Sequence, residues 1–209
     1  MRKTALEFVA KGKLGVRALG DPPQLGPKDL LVATQYTGVT NGTERHAFLL
    51  EHGYGSGQFP SRHGYQHVGE VAAVGAEVTR FAVGERVFYG DYVGHNGWNV
   101  VKEDGLLVGL PPHVDHRYCA LFGVAGVALR AVRRMGVGRG DKVWVVGQGP
   151  IGNFLAQAAL STGAKVTVSD MIDERLAAAR ACGVEVALNA KDPKTPALLK
   201  DGGPYDYVF

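Results

Sequence analysis

Apolar and polar positions alternate in short runs over roughly the first 110 residues. Ala5–Val9, Leu14–Leu19, Asp29–Tyr36, Val68–Val74, Arg86–Tyr89 and Leu106–Leu110 each read as a strand. Pro22-Pro23, Gly26-Pro27, Gly75, Gly84 and Gly105 punctuate them. Strands so closely spaced predict a small all-β barrel or sandwich. The stretch His52–His67, rich in Gly, His and Tyr, is expected to be a long functional loop. The pattern then changes. His116–Met135 carries a helical pattern closed by Gly136 and Gly138. Lys142–Val146 is a continuous apolar run of the kind buried on both faces of a parallel sheet. Helices over Pro150–Thr162, Asp173–Cys182 and Pro196–Lys200 alternate with strands over Lys165–Ser169, Glu185–Leu188 and Tyr205–Phe209. Such alternation predicts an α/β domain with a doubly wound parallel sheet of the Rossmann type. The two domains are expected at 1–118 and 119–209.

Composition narrows the class. The chain has 209 residues, 45% apolar and 21% charged, which is ordinary for a globular protein and excludes a disordered or fibrous one. Its net charge of +3 shows no basic cluster, so nucleic acid is not an expected partner. No apolar run is long enough for a membrane span, and no signal-peptide core follows Met1. Two cysteines, Cys119 and Cys182, cannot build a disulfide framework and fit a reducing cytoplasm. From Lys142 onward there is room for one βαβαβ half and little more. A dinucleotide fold has two such halves. The sequence therefore reads as the front portion of a longer enzyme, with an unpaired sheet edge at Tyr205–Phe209 that would leave the piece poorly soluble or completed by other chains.

Val146-Gly147-Gln148-Gly149-Pro150-Ile151-Gly152 holds the pattern G-x-G-x-x-G between an apolar strand and a helix, and Asp170 ends the next strand eighteen residues after Gly152. That context points to a dinucleotide. Gly147 gives the tight turn, Gly149 lets backbone amides approach a pyrophosphate, and Gly152 lets the helix lie close to the strand. Pro150 and Ile151 open the helix over the same phosphates. The Asp170 carboxylate suits ribose hydroxyls and repels a 2′-phosphate, so the cofactor read here is NAD. Arg175 either covers the adenine edge or is a solvated helix residue.

The segments Gly69–Gly75 and Phe81–Val87, followed by this fingerprint, resemble the medium-chain dehydrogenase/reductase superfamily, relatives of the zinc alcohol dehydrogenases. The resemblance implies a GroES-like catalytic domain before the NAD domain, and an enzyme that moves hydride between a small alcohol or ketone and the cofactor. It also implies a homo-oligomer for the full-length protein. Zinc-dependent members carry C-G-T-D-x-H where this chain has Asn41-Gly42-Thr43-Glu44-Arg45-His46, and G-H-E where it has Gly64-Tyr65-Gln66. Amide and phenol are not usual zinc ligands, so no metal is expected. His63 and His67 flank Tyr65 and would share its face on an extended segment, but two imidazoles lack a third ligand. By the resemblance, Thr43 and His46 form the relay that carries the alcohol proton to solvent, and Thr43 is also expected to cap a short helix. In place of zinc, Tyr65 and Asn41 would donate hydrogen bonds to the substrate oxygen. Gly38–Arg45 with Gly64-Tyr65-Gln66 is similar to the zinc-lacking branch that contains 3-hydroxyethyl bacteriochlorophyllide dehydrogenase. The alternatives are a zinc-free quinone or enoyl reductase of the same superfamily, and a non-catalytic NAD-binding module.

Overall fold

The computed structural model describes residues 1–53 and 55–209. They form two compact units, Met1–Gly123 and Val124–Phe209. In the first, β1 (Thr4–Ala10) and β2 (Lys13–Ala18) make an antiparallel hairpin. Isolated bridges Ala5–Asn96 and Phe8–Ser61 tie it to the rest of the unit. β3 (Asp29–Thr37), β4 (His67–Val74), β5 (Arg86–Tyr89), β6 (Trp98–Lys102) and β7 (Leu107–Gly109) form a five-stranded antiparallel sheet in the order β6-β3-β4-β5-β7. Leu30, Val32, Val71, Val87 and Val101 alternate inward on successive strands and make its core with Tyr89 and Leu107. One short helix, α1 (Thr43–Leu49), leaves β3.

Strand β6 was not foreseen in the sequence. Its alternation is interrupted by Asn99, a buried amide that is satisfied only in the fold, donating to the Tyr89 hydroxyl at 2.9 Å. The continuous helix expected over His116–Met135 is instead two, α2 (His116–Cys119) and α3 (Phe122–Met135). At the break the chain makes three-residue bonds, Ala120 N–H to Arg117 and Leu121 N–H to Tyr118. Cys119 and Ala120 are thereby turned onto Val68 and Phe88.

The second unit carries β8 (Lys142–Val146), α4 (Pro150–Ser161), β9 (Lys165–Asp170), α5 (Asp173–Ala181), β10 (Val186–Asn189), α6 (Thr195–Gly202) and β11 (Tyr207–Val208). Its sheet runs β10-β9-β8-β11 with every pair parallel. The apolar run of β8 is buried where Val143 and Val145 pack on Leu155, Ala156, Val166 and Val168. The N-terminal β-rich and C-terminal Rossmann-like architecture predicted from the sequence is the one observed. Among the described residues no helix is long and apolar enough to cross a membrane.

Candidate functional site

In a doubly wound sheet the connections reverse direction at one strand, and ligands bind at the carboxyl ends beside it. Here that strand is β8, with β9 on one side and β11 on the other. The glycine loop lies at its carboxyl end. Gly147 has φ +85°, a conformation that side chains resist, and its N–H donates to the Ser169 carbonyl at 2.7 Å. A Cβ on Gly152 would stand 1.9 Å from the Gly147 carbonyl oxygen, so α4 packs on the loop only because residue 152 has none. A Cβ on Gly149 would meet nothing within 4 Å. Pro150 occupies the first turn of α4. Gly147, Gly149, Pro150, Ile151, Gly152 and Phe209 line an open cavity of about 360 Å³. Backbone amides and a positive helix end facing that space suit a pyrophosphate. The loop therefore fits a dinucleotide.

Asp170 ends β9 beside this loop and is nearly buried. One carboxylate oxygen accepts the Gln148 N–H at 2.6 Å and the other the Ile172 N–H at 2.9 Å. Burial raises its pKa, but these N–H groups and the Arg175 guanidinium, 3.6 Å away, outweigh burial and hold it below the usual carboxylate range. Asp170 thus pins the glycine loop, a role the sequence did not reveal. Arg175 is half exposed and pairs with Asp170.

The other candidates sit in the first unit. Thr43 begins α1 but does not cap it; Gly42 takes the cap position, with no side-chain cap bond. Glu44 does the local bonding instead, reaching back to the Thr40 N–H at 2.5 Å and the Thr40 hydroxyl at 3.0 Å. Asn41 and Thr43 are exposed. His46 Nδ1 lies 3.0 Å from Glu51, and its ring stands edge-on to His52 at 4.7 Å. His46, Glu51 and His52 bring their ligand atoms within 4.8 Å of one another, the one such trio among the described residues.

The His63, Tyr65 and His67 rings go to separate neighbours. His63 stacks on Phe8, Tyr65 packs against Tyr92, and His67 is sealed against Tyr89. His67 Nε2–H donates to the Gly94 carbonyl, and burial pushes its pKa down to about 4, so it is a neutral core residue. Burial raises the Tyr65 phenol, partly offset by hydrogen bonding to the neighbouring Thr40 hydroxyl.

Glu44 and His95 were missed by sequence reasoning. Glu44 is 3% exposed, and its second oxygen accepts from His95 Nε2 at 2.6 Å. The far nitrogen of His95 meets the Thr37 hydroxyl at 2.9 Å. Burial raises the Glu44 pKa, yet His95 and Thr40 together bring it below the ordinary value. Fifty-one residues separate the two partners, and only a charged residue next to Gly42-Thr43 could have hinted at the pair.

Comparison with known proteins places this geometry. The family described as alcohol dehydrogenase GroES-like domain matches residues 26–131. The chain belongs to it, within the medium-chain dehydrogenase/reductase superfamily of zinc alcohol dehydrogenase relatives. It is 30% identical to D-altritol 5-dehydrogenase of Agrobacterium fabrum, over 98% of this chain and 68% of that protein. A zinc-type alcohol dehydrogenase-like protein of Schizosaccharomyces pombe is also 30% identical, over 90% of this chain and 57% of its own length. The fold superposes on a quinone oxidoreductase of Pseudomonas syringae with a TM-score of 0.78 at 27% identity, covering 98% of this chain and 65% of that one. The chain thus spans between about half and two thirds of the length of these relatives.

Proposed function

We propose that this chain belongs to an NAD-dependent dehydrogenase that oxidises a secondary alcohol, or reduces the matching ketone, without zinc. The observation that carries the reading is the donor set at the positions where zinc-dependent relatives hold the metal. Asn41 offers an amide, and Tyr65 a phenol that burial keeps protonated. Neither is a donor zinc favours, and His67 nearby is committed to Gly94. The set does not fit the metal. It does fit an oxygen atom on which charge develops, because the Tyr65 O–H and the Asn41 amide are both hydrogen-bond donors. This combination resembles the zinc-lacking branch containing 3-hydroxyethyl bacteriochlorophyllide dehydrogenase.

The dinucleotide, when bound, supplies the hydride acceptor. The chain's own residues hold and orient the reactants. The loop Gly147–Gly152 would take the pyrophosphate, with Pro150 and Ile151 opening α4 above it and Asp170 with Arg175 at the ribose. Asp170 favours NAD, since its carboxylate repels a 2′-phosphate. Tyr65 and Asn41 hold the substrate oxygen, and Thr43 with His46 passes its proton outward, the Glu51 carboxylate steadying the imidazole.

The decisive experiment uses the intact gene product, an NAD-linked screen of secondary alcohols and polyols, and metal analysis. Tyr65→Phe is expected to lower kcat roughly ten- to a thousand-fold, the range for loss of one oxyanion donor. A change below about twofold, or activity abolished by chelation, overturns the reading. The similarity to a quinone oxidoreductase favours reduction of a conjugated alkene as the second reading. A marked preference for NADPH over NADH would select it.

A further inference from the structure

The proposed reaction leaves one buried ionisable pair without a task. Glu44 and His95 are both nearly sealed from water, with side chains 4% and 9% exposed. Burying a carboxylate is costly unless it is fully paired, and this one takes hydrogen bonds on both oxygens. A close backbone approach makes room for it. Gly64 has φ +121°, and a Cβ there would stand 2.9 Å from the His95 ring nitrogen. The glycine just before Tyr65 is thus the residue that lets His95 lie where it does.

The bonds run in a line. Thr40, hydrogen-bonded to the Tyr65 phenol, gives its hydroxyl hydrogen to Glu44 Oε2 at 3.0 Å. Glu44 Oε1 accepts from His95 Nε2, and His95 Nδ1 meets Thr37 Oγ1. Thr37 and His95 line an open cavity of about 220 Å³ together with Arg2, Thr34 and Tyr36. A carboxylate can only accept, so the Thr40 hydrogen is committed to Glu44 and the Thr40 oxygen is left as an acceptor toward Tyr65. In the alcohol complex Tyr65 thus gives its hydrogen to Thr40 and accepts the substrate hydrogen; once the proton has shifted, the same O–H donates to the ketone oxygen.

We propose that Thr40, Glu44 and His95 form a proton relay joining the Tyr65 hydroxyl to the solvent cavity beside Thr37, a second route alongside Thr43 and His46 for the one proton each turnover releases. The inference rests on the function proposed above. In alcohol oxidation the substrate O–H bond breaks as hydride leaves its carbon. The proton goes to the Tyr65 oxygen, the Tyr65 hydrogen to Thr40, and the Thr40 hydrogen to Glu44 Oε2. The relay requires His95 to start as the imidazolium paired with Glu44, so that a proton leaves its Nδ1 through Thr37 as Glu44 receives one. One proton enters, one leaves, and no electrons move along the chain. The titratable groups facing the pair are His63, His67 and Tyr65, with Arg2 and Tyr36 on the cavity rim.

The test compares Thr40→Val, which keeps the shape and deletes the hydroxyl, with Thr40→Ser, which keeps the hydroxyl. Both are made in the intact enzyme, alongside Tyr65→Phe. Thr40→Val is expected to lower kcat ten- to a hundred-fold with KM within about twofold, and to raise the solvent deuterium isotope effect. Thr40→Ser is expected to recover kcat to within about threefold of the parent. Glu44→Gln is expected to change the shape of the kcat–pH profile, which a purely structural role would leave in place. Wild-type kcat and pH profile in Thr40→Val, with Tyr65→Phe impaired, overturns the relay and leaves the proposed function standing. Absence of dinucleotide-linked alcohol turnover in the parent overturns both.

Discussion

The glycine loop of the second unit and the Thr40–Glu44–His95 cluster of the first are both polar arrangements held by backbone glycine, yet they are built oppositely. The loop is made within one βα turn, and its longest reach is from Gln148 to Asp170. The cluster joins the end of β3, the start of α1 and the segment before β6, across fifty-one residues. In the loop the proposed ligand contacts are backbone N–H groups, and side chains matter chiefly by their absence. In the cluster the side chains are everything, and each is bonded to another. A site of the first kind leaves a short regular motif. A site of the second kind leaves none, because its members are related only through the fold.

Substitutions can break that contrast. The largest effect is expected at Gly152. Gly152→Val forces a side chain into the Gly147 carbonyl and should destabilise the second unit by about 3 kcal/mol or more, read as a fall in its melting temperature. Gly149→Ala meets nothing in the chain, so its stability cost should stay below about 1 kcal/mol while dinucleotide affinity falls. Equal stability loss in the two variants would show that the loop's glycines serve the fold alone.

Acid should separate the first unit by a different route. His67 is buried neutral, with a folded pKa of about 4 against 6.5. Below pH 6.5 the unfolded chain binds a proton that the folded chain refuses, so stability falls as pH drops toward 4. The loss approaches about 3 kcal/mol, and His63, also lowered by burial, acts in the same direction. Glu44 and Asp170, held below their usual values, add losses at still lower pH. Melting curves of the parent and His67→Gln between pH 4 and 7 check this, the variant showing the shallower decline.

A smaller effect than those at Gly152 and His67 is expected at Asp170. Asp170→Asn removes the charge that two backbone N–H groups bond, costing about 1–2 kcal/mol, and should narrow the preference for NADH over NADPH in a binding titration. A preserved preference would assign Asp170 to the loop and not to the ribose.

Much of the second unit could be read directly. Lys142–Val146 is apolar throughout because both faces of β8 are covered, and a turn that needs φ above zero at Gly147 writes itself as glycine. The first unit was less legible where polar groups are buried. Asn99 hid β6, Cys119 and Ala120 concealed the break between α2 and α3, and the cap expected from Thr43 is absent while Glu44 turns back to Thr40.

The sequence by itself determined the two architectures, the glycine turn Gly147–Gly152, and the proposal that Asn41 and Tyr65 stand where zinc-dependent relatives hold the metal. These are properties of local pattern, periodicity and residue chemistry. Only the tertiary structure decided that Asp170 braces the glycine loop, that His67 is a core residue, and that Glu44 meets His95. Burial and pairing fix the charge state and reach of each such group, and both depend on segments that are distant in the chain and adjacent in space.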